Sequence, residues 1–367
     1  MNGINVIGMP FGMHGLGLEL QDKVLAMQSV GIPVCVIEQN YSSIRREMRN
    51  DAVYDLVVDM PKYDTNLFCH NLPAINLIRK QAPELFAGRY NIGAPYWEFP
   101  ELPDSHQAGL SALDEIWVSN GFLKKCFAGH TDRPVIQMPL HQETTAPRSG
   151  PRSARKPFTF GYIFDFNSLA ARKDPNALIL AFLECFAHKP KANVRLVMKY
   201  SVEASHLVRN MDVEDFLRLA SLDDRIELIN EALPQKEMKA LLSSFDAYVS
   251  PHRAEGLGRG IIEAMIHGKA IAATRYSGPA EFLLPECAVP IDYYLTQVGS
   301  AALGDIKSHF TWAEARVDSL ISALEQLAAS PEQAALKGRK AADFISRHHG
   351  PERHGQACRD RLRSIAA

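Results

Sequence analysis

The chain has 367 residues, of which 46% are hydrophobic and 22% are charged, a balance typical of globular proteins. Its length exceeds the roughly 250–300 residues at which a single hydrophobic core stops growing, so two domains are expected. The formal net charge of −2, from 40 basic and 42 acidic residues, argues against a nucleic-acid-binding protein. No apolar run approaches the roughly 20 residues that a membrane-spanning helix needs.

The N-terminus and the cysteines both indicate a cytoplasmic protein. The first residues, MNGINVIGMPFG, do not combine a basic segment with an apolar segment as a secretory signal does. The six cysteines are scattered and form no C-x-x-C pair, which argues against a zinc site or a disulfide framework. Reduced, buried thiols are therefore expected.

Short apolar runs rich in β-branched residues alternate with amphipathic segments along the chain. The predicted strands of the first half are 4–10, 33–38, 54–60, 90–97, 115–120 and 135–140. Those of the second half are 158–164, 194–200, 225–229, 246–252 and 270–276, with helices at 176–188, 234–244, 260–267 and 312–329. Nearly continuous hydrophobicity is typical of parallel strands that are covered on both faces. The alternation predicts an α/β protein with two doubly wound, Rossmann-like domains.

The boundary between the two domains is predicted at residues 146–157, APRSGPRSARKP. Three prolines, one glycine and four basic residues without an acidic one are incompatible with a strand or a helix interior. We expect an N-terminal domain over 1–145, a linker over 146–157 and a C-terminal domain over 158–345. Residues 346–367 are expected to form a C-terminal helix that packs back on the first domain.

The most informative segment is 250–282, SPHRAEGLGRGIIEAMIHGKAIAATRYSGPAEF. It starts at the end of a predicted strand and contains Glu255, then three alternate glycines, then a predicted helix with Glu263. Such strand ends open onto the crevice where doubly wound sheets bind ligands, and a glycine-rich helix start favours anions. Carboxylates can accept hydrogen bonds from vicinal sugar hydroxyls. The segment predicts a nucleotide-sugar site; the alternative is a glycine-rich turn with a solvated glutamate.

This segment resembles the E-x7-E region of retaining glycosyltransferases with the GT-B fold, in the large family four-like group that builds bacterial polysaccharides. Glu255 and Glu263 stand eight positions apart, as that motif requires. Residues 91–103 with 113–127 are similar to the N-terminal domain of members that make O-antigen-type chains. Residues 158–182 are similar to the first strand, loop and helix of the donor domain. The resemblance implies two Rossmann-like domains facing each other across a cleft.

The resemblance also implies catalytic roles for three residues. Lys173 matches the lysine that holds the donor diphosphate, although as a single observation it also fits a solvated loop lysine. Family members commonly carry an arginine several residues earlier, where this chain reads FDFN at 164–167. Arg172 or Arg253 is therefore expected to supply the second positive charge. Glu255 matches the glutamate beside the donor sugar.

Further donor-binding residues follow from the same resemblance. Glu263 matches the glutamate that binds the nucleotide ribose, and the backbone of Gly256, Leu257 and Gly258 is expected to hold the donor sugar. The loop at 8–17, GMPFGMHGLG, approaches the donor from the other domain in this family, so Gly15 and Leu16 are candidates. Its glycines follow the order G-x-x-G-x-G rather than the dinucleotide order G-x-G-x-x-G. Glu38 ends the second predicted strand about 21 residues after these glycines, where a dehydrogenase has its ribose-binding acid. An NAD-dependent oxidoreductase therefore remains an alternative.

Acceptor residues are expected at strand ends of the first domain. His14, Trp97, Glu98 and His106 are the candidates, because aromatic rings suit the apolar faces of sugars and a carboxylate can orient a hydroxyl. Core packing of Trp97 and a surface position of Glu98 are equally open. No D-x-D pair occurs in the sequence, so neither a metal nor another cofactor is expected.

The implied function is transfer of a hexose, with mannose as one expectation, from a nucleoside diphosphate sugar to a saccharide or lipid-linked saccharide acceptor. No nucleic-acid partner is expected. The enzyme is expected in the cytoplasm, with peripheral association at the inner face of the cytoplasmic membrane left open, as is its oligomeric state. A GT-B-fold sugar-nucleotide epimerase, the oxidoreductase and a non-catalytic sugar-binding protein remain as alternatives.

Overall fold

The computed structural model describes residues 3–12, 15–39, 50–142, 156–202 and 211–366. The chain forms two compact units, one made of Met1–Thr144 with Arg347–Ala367 and the other of Thr145–Ser346. His14 and all but the last two residues of the predicted linker 146–157 lie outside the described residues. The described part of the chain contains no helix with the length and hydropathy needed to cross a membrane.

The first unit is built on a six-stranded parallel sheet. Its strands are β1 (Ile4–Gly8), β2 (Val34–Glu38), β3 (Thr65–Phe68), β4 (Tyr90–Gly93), β5 (Glu115–Val118) and β6 (Val135–Gln137), in the order β2-β1-β3-β4-β5-β6. Every one of these strand pairings is parallel. The order reverses between β1 and β3, so the carboxyl ends of these two strands mark the crevice of this sheet.

Helices cover both faces of this sheet. They are α1 (Gly15–Ser29), α2 (Asp51–Tyr54), α3 (Leu72–Gln81), α4 (Gln107–Leu110) and α5 (Gly121–Ala128), together with the C-terminal helix Pro351–Ala366. Cys358 and Leu362 of the C-terminal helix belong to the hydrophobic core of this unit. A Cβ atom at Gly355 would lie 2.2 Å from the carbonyl oxygen of Ala26, so α1 and the C-terminal helix pack backbone to backbone. The guanidinium of Arg361 also binds the fully buried carboxylate of Glu115, with Nε 2.9 Å from Oε1.

One predicted strand of this unit is wrong. The segment 54–60 holds the end of α2 and a single parallel bridge between Val57 and Val36, while the third strand is Thr65–Phe68. Asn50 caps α2 by accepting a hydrogen bond from the Ala52 N–H. The apolar run at 54–60 therefore follows a capped helical turn instead of entering the sheet.

The second unit is built on another six-stranded parallel sheet. Its strands are β7 (Phe158–Asp165), β8 (Val194–Ser201), β9 (Ile226–Ile229), β10 (Ala247–Ser250), β11 (Ala270–Thr274) and β12 (Ala288–Ile291), in the order β12-β11-β10-β7-β8-β9. Counted within this unit, the order is 6-5-4-1-2-3, which is that of dinucleotide-binding Rossmann sheets. The order reverses between β7 and β10, so the ligand crevice lies at the carboxyl ends of these two strands.

An antiparallel hairpin follows the second sheet. It consists of β13 (Tyr293–Gln297) and β14 (Thr311–Ala315), with Tyr293 opposite Ala315. The helices of this unit are α6 (Ala170–Lys173), α7 (Pro175–Phe186), α8 (Met211–Ala220), α9 (Gln235–Ser244), α10 (Arg259–Ile266), α11 (Val317–Ala329) and α12 (Pro331–His348), the last two residues of α12 belonging to the first unit. The predicted helix start at Trp312 is wrong, because Trp312 lies in β14 and is buried. The prediction of two doubly wound α/β domains is confirmed, and all six cysteines are buried free thiols.

Candidate functional site

Two loops meet at the crevice of the second sheet. After β7 the chain forms the short helix α6, which ends in Arg172 and Lys173. After β10 it forms an irregular loop that carries Glu255 and leads into α10 at Arg259. Because β7 and β10 are neighbours in the sheet, these two loops leave it side by side. The structure thus brings together the three residues expected to be catalytic.

Glu255 binds both neighbouring cations at once. One carboxylate oxygen accepts a hydrogen bond of 3.1 Å from Arg172 Nη1, and the other contacts Lys173 Nζ. The side chains of all three residues are largely shielded from solvent. Burial raises the pKa of Glu255, but the charges of Lys173 and Arg172 outweigh burial and lower it to about 2. Glu255 is therefore ionised at neutral pH, and its charge is balanced by two cations.

The turn that carries Arg172 and Lys173 has an unusual backbone. The residues on either side of α6, Leu169 and Asp174, have φ angles of 61° and 48°, in the left-handed region that side chains other than glycine rarely adopt. Contacts hold the turn in place: Tyr162 donates a hydrogen bond of 2.7 Å to the carbonyl of Lys173, and Arg172 donates one of 2.7 Å to the carbonyl of Ala254. Strained backbone of this kind is typical of ligand-binding loops.

Helix α10 begins directly after the Glu255 loop. Gly258 has a φ of 76° and its carbonyl accepts hydrogen bonds from the N–H groups of Ile261 and Ile262. A Cβ atom at Gly258 would lie 2.6 Å from Cγ of Pro279, so glycine is required here for both conformation and space. The helix start attracts negative charge, as expected for a diphosphate site.

Glu263 and the glycine-rich loop lie on the same element. Glu263 is in the second turn of α10, is about one-third exposed, and accepts a hydrogen bond of 2.7 Å from Arg259 Nε. Gly256 and Leu257 are buried in the loop that precedes the helix. Glu263 therefore retains solvent access at the end of the sheet where the two cations lie, which a ribose-binding carboxylate needs.

Arg253 has a different environment from Arg172. Its guanidinium binds both carboxylate oxygens of Glu314, with Nε and Nη2 at 2.7 and 2.8 Å. Nη2 also lies 3.0 Å from the carboxylate of Asp174, and Nη1 donates to the carbonyl of Ala171 at 2.6 Å. Its Cζ lies 5.1 Å from the ring centre of Trp312. The guanidinium of Arg253 is thus used in contacts within the protein.

Four residues of this region were not singled out by the sequence. Asp174 directly follows Lys173 and Ser277 lies in a Ser-Gly-Pro turn, so the local sequence could have pointed to these two residues. Nothing in the sequence pointed to Glu314 or His252. The Ser277 hydroxyl accepts a hydrogen bond of 2.9 Å from the Glu255 N–H. Burial lowers the pKa of His252 to about 4, so this imidazole is neutral beside the Glu255 loop.

In the first unit, Gly15 and Leu16 are the first two residues of α1, with Gly15 exposed. The preceding loop is packed tightly against the helix, because a Cβ at Gly17 would lie 2.2 Å from the Gly12 carbonyl oxygen. Gln21 also donates a hydrogen bond of 2.6 Å to the carbonyl of Pro10. The helix start is thereby held close to the carboxyl end of β1.

The proposed acceptor residues differ in exposure. Trp97 is 7% exposed, donates through Nε1 to the Glu101 carbonyl at 2.6 Å, and packs edge-on against His106, which is 3% exposed. These two side chains pack in the interior, where the ring faces of Trp97 are covered, and Glu98 is half-buried. Their role in acceptor binding stays a prediction.

The sequence also gave no indication of a buried polar network at the carboxyl ends of β4 and β6. The Glu19 carboxylate in α1 accepts hydrogen bonds from Tyr96 at 2.5 Å, Lys23 at 3.0 Å and Gln142 at 2.8 Å. His141 Nε2 lies 2.7 Å from the same carboxylate. Burial lowers the pKa of His141, although the charge of Glu19 opposes that shift. Four partners therefore fix a buried carboxylate at this end of the first sheet.

Comparison with known proteins supports the fold. Residues 168–302 match the sequence model of the family described as "Glycosyl transferases group 1". This range includes α6, the Glu255 loop and α10. No curated protein sequence matches the chain significantly.

Three solved structures illustrate the likeness in fold. Sucrose-phosphate synthase from Thermosynechococcus elongatus shares 14% identity with a TM-score of 0.71, over 100% of this chain and 99% of that one. Anabaena HepE in complex with UDP and glucose shares 14% identity with a TM-score of 0.70, over 99% of this chain and 100% of that one. The pneumococcal O-GlcNAc transferase GtfA, in complex with UDP and GlcNAc, shares 15% identity with a TM-score of 0.57, over 84% and 58%. The chain therefore has the GT-B fold.

Within the described ranges, no group of three or more histidine, cysteine, aspartate or glutamate side chains is arranged to hold a metal ion. The charges gathered at the crevice are instead those of Arg172 and Lys173, balanced by Glu255.

Proposed function

We propose that the protein is a retaining glycosyltransferase that moves a hexose from a nucleoside diphosphate sugar to a saccharide or lipid-linked saccharide acceptor in polysaccharide biosynthesis. The observation that carries this proposal is the pairing of Arg172 and Lys173 with Glu255 at the crevice of the second sheet. The match of residues 168–302 to a glycosyltransferase family supports it, because that match covers the same elements.

The donor diphosphate would bind Lys173, Arg172 and the N–H groups at the start of α10. Two fixed cations and a helix start supply positive charge where the leaving diphosphate develops negative charge, so this clamp is the main catalytic device. Transfer on this scheme needs no metal. Glu263 would bind the ribose hydroxyls. Glu255 and the backbone of residues 256–258 would hold the hydroxyls of the donor sugar.

The proposed transfer step is the front-face route that the family resemblance implies. The bond between the anomeric carbon and the phosphate oxygen breaks, and a bond to the acceptor oxygen forms on the same face of the sugar. The acceptor proton passes to the leaving phosphate oxygen, so no strong side-chain base is required. Glu255, ionised and held by two cations, orients the sugar instead of accepting the proton. The product keeps the anomeric configuration of the donor.

The donor and the acceptor are proposed as chemical classes, a nucleoside diphosphate sugar and a saccharide. HepE was solved with UDP and glucose, so UDP-glucose is a reasonable first donor to test, and GDP-mannose is the second because mannose is the expectation from the sequence. For the acceptor we propose contact with Glu98, supported by the buried Trp97 and His106, and we propose Gly15 and Leu16 near the donor. A lipid-linked acceptor would bring the enzyme to the inner face of the cytoplasmic membrane.

A thermal-shift screen with UDP-, GDP- and dTDP-sugars tests the donor site, because a ligand that binds only the folded state raises the melting temperature. The stabilising donor is then incubated with saccharide acceptors, and the anomeric configuration of the product is read by NMR. Incubation with donor alone detects an epimerase, and NAD serves as the control for an oxidoreductase. If no nucleotide sugar shifts the melting temperature, the proposal is wrong.

A further inference from the structure

Arg253 connects three segments that lie far apart in the sequence. Its own loop follows β10 and carries Glu255, the α6 turn carries Arg172 and Lys173, and the hairpin of β13 and β14 carries Trp312 and Glu314. The Arg253 N–H donates to the carbonyl of Arg172 at 2.8 Å. The Arg253 carbonyl accepts from the Ala313 N–H at 2.9 Å. Backbone and side chain of one residue therefore bind the same two neighbouring segments.

The side-chain contacts of Arg253 act on the strained turn. Nη1 binds the carbonyl of Ala171 inside α6, and Nη2 lies 3.0 Å from the carboxylate of Asp174, whose φ is 48°. A residue with this backbone conformation keeps it only where several contacts define it. Arg253 supplies two such contacts, one on each side of Lys173.

Glu314 in turn fixes Arg253. The carboxylate binds the guanidinium through two hydrogen bonds of 2.7 and 2.8 Å, the geometry that restricts orientation most strongly. The ring of Trp312, in the same strand, lies against the guanidinium. Tyr276 is next to Ser277, whose hydroxyl accepts a hydrogen bond from the Glu255 N–H. Tyr276 packs against Tyr293 and donates to the carbonyl of Thr311, so a second contact joins the hairpin to the site.

We propose that Glu314 and Asp174 are positioning residues that act through Arg253 and hold the Arg172–Lys173 turn in the geometry that binds the donor diphosphate. The proposal rests on the proposed function, since it names what orients the cations of that site. It also gives Arg253 a positioning role in place of the direct donor contact expected for it from the sequence. The hairpin of β13 and β14 is then part of the binding apparatus, although Glu314 itself binds no donor.

Two variants test the positioning role. Glu314→Gln preserves shape and removes the charge, and Arg253→Lys preserves the charge and removes the planar fork. The matched control is Asp318→Asn, which breaks the exposed Arg316–Asp318 pair, whose shortest N–O distance is 2.8 Å, just beyond the hairpin. The affinity for UDP, and for GDP and dTDP if UDP does not bind, is measured by calorimetry at a temperature at which each variant is fully folded.

We expect Glu314→Gln and Arg253→Lys each to weaken nucleotide binding about tenfold while Asp318→Asn stays within twofold of the wild type. Nucleotide affinity within twofold of the wild type in both test variants would overturn the positioning role. If Glu314→Gln does not fold, Arg253→Lys alone decides the matter. A wild-type protein that binds none of the three nucleotides would refute the proposed function itself, whereas normal wild-type binding with unaffected variants refutes only this inference.

Discussion

Lys173 and Glu255 are 82 residues apart in the sequence and form a direct ion pair at the crevice of the second sheet. Arg172 binds the other oxygen of the same carboxylate at 3.1 Å. The pair exists because two neighbouring parallel strands, β7 and β10, each end in a loop at this edge. Both partners are mostly buried, so each depends on the other for charge balance.

Replacing either partner is expected to abolish transfer. Lys173→Ala removes a cation from the diphosphate clamp, and Glu255→Ala removes the carboxylate proposed to orient the donor sugar. Loss of a preorganised electrostatic contact of this kind typically lowers kcat about 10²–10³-fold. Initial rates with the donor identified by thermal shift check this prediction.

A matched control is Lys189→Ala, which breaks the exposed Lys189–Glu325 pair in the same unit. Exposed pairs contribute about 0–1 kcal/mol, so this variant should be folded and fully active. Circular dichroism establishes that the two site variants remain folded. A purified, folded Lys173→Ala enzyme that turned over at the wild-type rate would show that the diphosphate assignment is wrong.

The ion pair also predicts how stability depends on pH. The folded pKa of Glu255, about 2, lies below that of an unfolded glutamate, about 4.3, so ionised Glu255 stabilises the fold above pH 5. This contribution is lost as the pH falls from 5 to 2, by about 3 kcal/mol at most. Urea unfolding at pH 6 and pH 3 should show a smaller loss for Glu255→Gln than for the wild type. Equal losses in the two proteins would contradict the shifted pKa.

The regular α/β rhythm was predictable because buried parallel strands leave a clear hydrophobic pattern. The prediction failed where the same spacing of apolar residues fits more than one kind of secondary structure. The apolar run at 54–60 follows a helical turn capped by Asn50, and the strand that pairs with β1 is the less apolar Thr65–Phe68. Trp312 fits the spacing of the helix that follows it, yet it pairs with Thr296 in the hairpin. Periodicity alone does not distinguish these alternatives.

The site residues were predictable where they lie in a short, recognisable stretch of sequence. Glu255 and Lys173 stand in recognisable loops after strands, so their meeting follows from the fold. The environment of Arg253 depends on Glu314, 61 residues later, in a hairpin that the sequence pattern did not reveal. Lys23 lies on the same helix as Glu19, but Tyr96 follows β4 while His141 and Gln142 follow β6, and no short motif brings these segments together.

Gly258→Ala should reduce both stability and donor affinity. The φ of 76° disfavours alanine, and its Cβ would lie 2.6 Å from Pro279 Cγ, so the start of α10 must move. We expect a loss of about 2–4 kcal/mol in the free energy of unfolding, from backbone strain together with overpacking. The control, Gly304→Ala, has a φ of 58° but no atom within 4 Å of the added Cβ, so it should lose only about 1 kcal/mol. Similar losses in urea unfolding would show that the contact with Pro279 is unimportant.

Asp174 predicts a pH dependence of opposite sign to that of Glu255. Burial raises the pKa of Asp174 to about 6, although Arg253 opposes the shift. Because this folded pKa lies above the unfolded value of about 3.9, the ionised form is disfavoured in the folded state. The contribution of Asp174 to stability therefore improves as the pH falls from 7 toward 4.

The variant Asp174→Asn should lack this improvement. Between pH 7.5 and pH 5.0 the wild type is expected to gain about 1 kcal/mol of unfolding free energy relative to the variant. Urea titrations of both proteins at the two pH values measure the difference directly. An identical pH response in the two proteins would mean that Asp174 does not titrate in this range.

Glu263 provides a test that separates ribose binding from the diphosphate clamp. The carboxylate is partly exposed on α10 and is held by Arg259 Nε at 2.7 Å, so it is oriented yet accessible. Glu263→Ala should weaken binding of a ribonucleoside diphosphate about tenfold, because two ribose hydroxyls lose their acceptor. The same variant should bind the 2′,3′-dideoxy analogue as the wild type does, since that analogue has no hydroxyl to lose. Calorimetry with both nucleotides measures the two affinities, with Glu237→Gln on exposed α9 as control. Equal losses for the two nucleotides would place Glu263 away from the ribose.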